Sequence, residues 1–175
     1  MDAKEFEEEY QRLLLPLGMY ALRIIENVDD SEDVVQSVFL STWNRLQEGL
    51  ETDNLKSYLY RAVRNASLRF VASKNNTPAE DLESIEEVTD DVIDTSERDA
   101  RLWKAIESLP EKCREVFLLC KRDNLSYKEV SEELSISEKT VENHITKAMK
   151  ALRKAYGITD KHSNVQINIF FLPFL

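Results

Sequence analysis

The sequence predicts an all-α protein: two small helical domains joined by an acidic linker, the C-terminal domain carrying a helix-turn-helix. Three observations carry that prediction. Only three glycines and four prolines punctuate the 175 residues, which favours long helices over many short strands. Apolar residues recur at three- and four-residue steps along most of the chain, the spacing of one helix face. Charge falls in blocks. Residues 1–53 hold 13 Asp/Glu against four Lys/Arg, residues 54–75 hold five Lys/Arg and no acid, residues 76–100 hold ten acids against one base, and residues 101–155 hold twelve bases against nine acids.

Residues 3–26 read as a first helix, with Phe6, Leu13, Leu14, Leu22, Ile24 and Ile25 on its apolar side. Pro16 is expected to kink or split it, because the ring removes a backbone donor and crowds the previous turn. A second helix, capped by Asp30 or Ser31, reaches about Gln47, with Val34, Val35, Val38, Phe39 and Trp43 at helical spacing. Gly49, Asp53 and Asn54 mark a loop. The third helix runs from Leu55 to Ser73 on a stripe of Leu55, Leu59, Ala62, Val63, Ala66 and Phe70, with Lys56, Tyr60, Arg61, Arg64 and Arg69 largely off it. These helices define a first domain at 1–75. Residues 76–97 are acidic and lack a sustained apolar face, as a solvated linker would. A second domain, 98–157, is predicted to hold helices at 98–109, 111–123, 127–134 and 138–156. Residues 158–175 form a tail whose final run, 164–175, is apolar but shorter than the roughly 20 residues a spanning helix needs.

The segment from Leu125 to Tyr156 is the most informative. Ser126 and Glu129 form an S-x-x-E box, which satisfies free donors at a helix start. Ser135-Ile136-Ser137 makes a tight turn, and Ser137 caps the following helix. Val141, Ile145, Ala148 and Leu152 give that helix its inner stripe. Lys139, Thr140, Asn143, His144 and Lys147 lie mostly off the stripe near its N-terminus, where a recognition helix meets base edges. Asn can bond an adenine edge and Lys can reach guanine or phosphate. Lys150, Arg153 and Lys154 suit backbone phosphates. The total charge of −10 does not oppose this, since a duplex responds to local surface charge.

Three motifs in order resemble the extracytoplasmic-function (ECF) sigma factors of bacterial RNA polymerase over about residues 5–155. DDSEDVVQSVFLSTWNRL, residues 29–46, is similar to the family's polymerase-binding helix. LKSYLYRAVRNASLRF, residues 55–70, resembles the helix that opens and reads the −10 element. Residues 109–153 resemble the −35-reading domain, with Ser135 where the family often has Gly. The resemblance implies that Asp33 and Gln36 contact polymerase, with Phe39 and Trp43 in the same motif but on the apolar stripe, where a core role competes. It implies that Lys56, Tyr60, Arg61, Arg64, Asn65 and Arg69 hold the melted strand, and that the loop 47–54 cradles a flipped base. It also implies RNA polymerase core, promoter DNA and an anti-sigma factor as partners.

Other classes fit less well. SEKTVENHI, residues 137–145, is similar to LuxR-type regulators, but the first 75 residues show no strand signals of a receiver domain. An acidic helical adaptor would explain the net charge and not the basic clusters. No Gly-rich phosphate loop or nucleophile elbow points to an enzyme. Cys113, Cys120, His144 and His162 lack the paired spacing of a zinc site, so no metal or cofactor is expected. Two cysteines outside any disulfide framework and an acidic N-terminus without a secretory pattern point to a cytoplasmic protein without stable membrane insertion.

Overall fold

The computed structural model describes residues 1–75 and 88–155. Among them are seven helices and no strand: α1 (Ala3–Ile25), α2 (Val28–Gln47), α3 (Leu55–Asn75), α4 (Asp90–Glu107), α5 (Glu111–Lys121), α6 (Tyr127–Glu133) and α7 (Glu138–Ala155). The described residues divide into two units, with the boundary between Ala100 and Arg101 inside α4. His162 and the apolar run 164–175 lie outside the described residues.

In the N-terminal unit α1 packs on both α2 and α3, and α2 packs on α3. Leu13, Leu17 and Ala21 of α1 meet Val35, Val38 and Phe39 of α2 and Leu55, Leu59, Tyr60 and Val63 of α3. This core is the helical stripe that the sequence displays, because an amphipathic helix gains most of its stability by burying one face. Asp2 opens α1 with a capping box closed by Glu5. Pro16 neither splits nor ends α1, which runs through it. The ring is buried among packed neighbours, and tertiary packing outweighs the one backbone bond that it removes. The second helix starts earlier than the Asp30 or Ser31 cap predicts. Asn27 is the cap, its side chain accepting from the Asp30 amide at 2.9 Å. Asn54 caps α3 in the same way, accepting from Ser57 N at 3.0 Å.

Helix α4 begins at Asp90, eight residues ahead of the expected start. Val92 and Ile93, inside the stretch read as linker, join the N-terminal core. Their signal is faint in sequence because three aspartates surround two apolar residues.

In the C-terminal unit Leu102, Trp103 and Ile106 of α4 are buried. Helix α7 packs on α5 and α6, and α5 on α6. Cys113, Val116, Phe117 and Leu118 of α5 are buried, as are Val130 of α6 and Val141, Ile145, Ala148 and Leu152 of α7. The predicted capping box at Ser126 and Glu129 is present. Ser137 accepts from the Thr140 amide at 3.0 Å. The turn between α6 and α7 passes through Ser135 at φ 53°, the left-handed region that glycine enters without a Cβ penalty.

Candidate nucleic-acid and protein-docking surfaces

The N-terminal turns of α1 and one face of α2 enclose a groove of about 850 Å3. Its floor is aromatic. Phe6 meets Phe39 edge-on at 6.1 Å and Trp43 at 5.0 Å, and Tyr10 meets Phe39 at 4.8 Å. Phe39 is buried and Trp43 half-buried, so the ring of Phe39 serves the core while Trp43 also reaches the groove. Asp33 and Gln36 stand exposed on the rim. Between them and Trp43, Leu40 is 64 % exposed. An apolar floor with a polar rim is the anatomy of a protein-docking site. Leu40 was not singled out from the sequence. Its signal is an apolar residue one position outside the buried stripe of α2.

On the next flank of α2, past Ser37, which borders both, a second groove of about 480 Å3 lies against α3. Arg45, Arg61 and Arg69 line it together with Asn65 and Tyr58, with no carboxylate among the described residues lining it. Arg45 donates to the Tyr58 hydroxyl at 2.7 Å, and its guanidinium carbon lies 5.9 Å from the centre of the Tyr58 ring. This places an aromatic face and three cations around one cleft. Such a combination grips single-stranded nucleic acid, since every base has a π-face and every linkage a phosphate.

The structure corrects one member of the predicted strand-binding set. Tyr60 is 0 % exposed and packs on Tyr20 with ring centres 5.5 Å apart. Burial holds its hydroxyl above the ordinary tyrosine pKa, and the charge of Glu97 adds to that. A ring sealed in the core cannot stack on a base. The aromatic of this helix that lines the groove is the half-buried Tyr58, two residues earlier and about 160° around the helix. Arg61, Asn65 and Arg69 are exposed on the groove side, whereas Arg64 is half-buried. Lys56 is ion-paired with Glu97.

In the C-terminal unit, Lys139, Asn143, Lys147 and Lys150 are exposed at three- and four-residue steps along α7, opposite the stripe from Val141 to Leu152. Thr140 and His144 are half-buried. The Thr140 hydroxyl lies 2.8 Å from Ser137 Oγ and so shares in the cap. Lys139 Nζ pairs with Glu142 at 2.7 Å in an exposed position, where an ion pair contributes little and is easily exchanged. The Cys113 thiol donates to the His144 carbonyl at 3.2 Å, tying α5 to α7. Burial raises the pKa of both thiols. Among the described residues no group of His, Cys, Asp and Glu is arranged to hold a metal.

Comparison with known proteins decides what these surfaces belong to. Residues 8–77 match the Sigma-70 region 2 family and residues 99–152 match Sigma-70 region 4. The chain is 25% identical over 149 residues to RNA polymerase sigma factor SigZ of Bacillus subtilis, covering 85% of each. It is 28% identical over 137 residues to the ECF RNA polymerase sigma-E factor of Escherichia coli, covering 70% of this chain and 72% of that one. Among solved structures, it resembles the sigma factor RpoE of Bartonella quintana, determined in complex with the anti-sigma factor NepR. That match has 20% identity and a TM-score of 0.35, covering 90% of this chain and 100% of the other.

The chain belongs to the ECF sigma factors. It directs RNA polymerase core to specific promoters and initiates transcription there. The region 2 match over α1 to α3 separates this sigma factor from a stand-alone helix-turn-helix regulator. Sequence reasoning missed three residues at its candidate surfaces, Leu40, Arg45 and Tyr58. Arg45 and Tyr58 lie on different helices, so only folding brings them together.

Proposed function

We propose that the N-terminal unit docks on polymerase through the α1/α2 groove and holds the melted −10 strand in the α2/α3 groove, while α7 reads the −35 duplex. The observation that carries this reading is the different make-up of the two grooves on the two flanks of α2, which meet at Ser37. One is apolar with Asp33, Gln36 and Leu40 at its mouth, and the other is cationic with Tyr58 and Asn65. One helix thus addresses a protein on one side and a nucleic acid on the other.

Asp33, Gln36 and Leu40 contact polymerase, with Trp43 giving apolar support. Arg61 and Arg69 hold phosphates, Asn65 meets a base edge, and Tyr58 stacks. Lys139, Asn143 and Lys147 meet the major groove, with Thr140 and His144 at their flank. Each DNA contact is modest, because Glu138 and Glu142 stand exposed beside the cations of α7. Tethering both units to one polymerase supplies the effective concentration that neither has alone. The factor catalyses no covalent step itself. It acts in the cytoplasm, and no helix among the described residues is long and apolar enough to cross a membrane. Region 2 and region 4 surfaces that must open to DNA are also the surfaces an anti-sigma factor would cover.

Abortive transcription tests the reading: purified core polymerase, with and without this protein, on a library of promoter fragments. Initiation from a defined subset only when the protein is present is expected. Specific duplex binding by the protein alone, without initiation or a complex with core, would refute it.

A further inference from the structure

Helix α4 begins in the gap between the two family matches, yet its first half is part of the N-terminal core. The matches stop at residue 77 and resume at residue 99, while α4 starts at Asp90. Val92 and Ile93 belong to the same buried cluster as Leu59, Tyr60 and Val63 of α3. One turn on, Ser96 is fully buried, and with Glu97 it stands beside the Tyr60 hydroxyl. Two ion pairs flank this seam. Glu97 pairs with Lys56 in the first turn of α3, and Asp99 pairs with Arg23 in the last turn of α1. Residues 90–100 therefore tie the start of α3 to the end of α1.

That first turn of α3 has two faces. At about 100° per residue, Lys56, Tyr60 and Val63 fall within about 60° of one another, whereas Tyr58 lies about 160° away from Lys56. The first set faces the core, and Tyr58 lines the cationic groove, which Lys56 does not touch. We propose that Lys56 and Glu97 are positioning residues for strand capture: their ion pair sets the first turn of α3 so that Tyr58 meets the opened strand. This rests on the reading of α3 as the strand-binding helix. Lys56 then acts by holding Tyr58 in place and not by touching a phosphate, and the strand-binding unit extends to Ala100, past the end of its family match. The division of labour is physical. The apolar seam holds the body of α3, but the first turn of any helix lacks part of its backbone bonding and frays unless something outside fixes it. The pair is about a quarter exposed on both partners, too weak to carry the fold and sufficient to bias one turn.

The test uses the full chain assembled with core polymerase, on a pre-opened promoter carrying 2-aminopurine in the −10 strand. Glu97→Lys sets like charges against each other and should weaken strand binding about three- to fivefold, with the melting temperature within a few degrees of wild type. Reversing the pair, Glu97→Lys with Lys56→Glu, should bring binding back to within about twofold of wild type. Tyr58→Ala should cost less in the Glu97→Lys background than in the wild type, because the displaced ring has already lost part of its stack, while Arg69→Ala should cost the same in both. Glu97→Gln, which keeps the side-chain shape, should show the same pattern at about twofold amplitude, and it replaces Glu97→Lys if the latter unfolds the unit. A reversed pair that stays as weak as Lys56→Glu alone would mean that Lys56 touches phosphate, and overturns the proposal. So does a Tyr58→Ala penalty undiminished by either substitution at Glu97, or normal strand binding by both of them. The two readings fail separately: Tyr58→Ala that captures the strand normally refutes the α2/α3 groove itself, whereas a Tyr58→Ala defect without coupling to Glu97 refutes the positioning alone.

Discussion

Two tyrosines two residues apart on α3 should fail in opposite ways. Tyr60→Ala empties a fully buried site against Tyr20. Removing a buried aromatic costs about 3–5 kcal/mol, against a total of about 5–15 kcal/mol for an ordinary domain. The N-terminal unit should therefore melt far lower or fail to fold. Tyr58 lies at the wall of the cationic groove, with Arg45 at its hydroxyl and near its face. Tyr58→Ala should leave the melting temperature within a few degrees of wild type. It should cost one stacked base, about 1–3 kcal/mol, or roughly 5- to 150-fold in binding of the melted strand. Tyr58→Trp should restore most of it, because a larger ring offers the same face. The assays are thermal unfolding by circular dichroism and initiation by the holoenzyme on duplex and pre-opened promoters. The Tyr58→Ala defect should appear on both templates, because capture of the open strand is the step it removes. Equal destabilisation by the two alanines would refute the assignment of Tyr60 to the core and Tyr58 to the strand. So would a Tyr58→Ala factor that initiates normally.

Further outcomes follow from the other surfaces. Leu40→Asp places a charge at the mouth of the apolar groove and should weaken core polymerase binding at least tenfold, the effect of losing an interface hot spot of about 2 kcal/mol, with no change in melting temperature. Ser135→Gly relieves a left-handed residue and should stabilise the C-terminal unit by about 1 kcal/mol in urea unfolding. Lys147→Ala should lower the salt dependence of −35 duplex binding by the holoenzyme by about one unit of slope, the signature of one lost phosphate contact. Cys113 and Cys120 should resist iodoacetamide at neutral pH in the folded protein, because burial pushes both thiols up and away from the reactive thiolate. Rapid labelling under native conditions would refute that.

Much of this architecture was legible because amphipathic helices announce themselves. The stripe from Val141 to Leu152, the cap at Ser126 and the turn at Ser135 each have local chemistry that a sequence displays. The helix-turn-helix is therefore where prediction and structure agree most closely. Features settled by distant parts of the chain were harder to read. Tyr60 carries a polar hydroxyl and sits among arginines, so local context placed it outside. Its burial is decided by Tyr20 and by α4, well away in sequence. Pro16 obeyed tertiary packing rather than its own preference. Val92 and Ile93 were masked by the aspartates around them. The α2/α3 groove needed Arg45 from the end of one helix and Tyr58 from the start of the next, a pairing that no periodicity encodes.

The apolar groove around Leu40 and Trp43 has a consequence for how much of the protein a cell can hold. A docking face that stays wet until its partner arrives also attracts any other greasy surface, including the same face on a second copy. Molecules in excess of available polymerase would therefore be the ones to self-associate or be degraded. Supply of the factor would then be matched to the supply of its partner by simple stoichiometry, before any dedicated regulator acts.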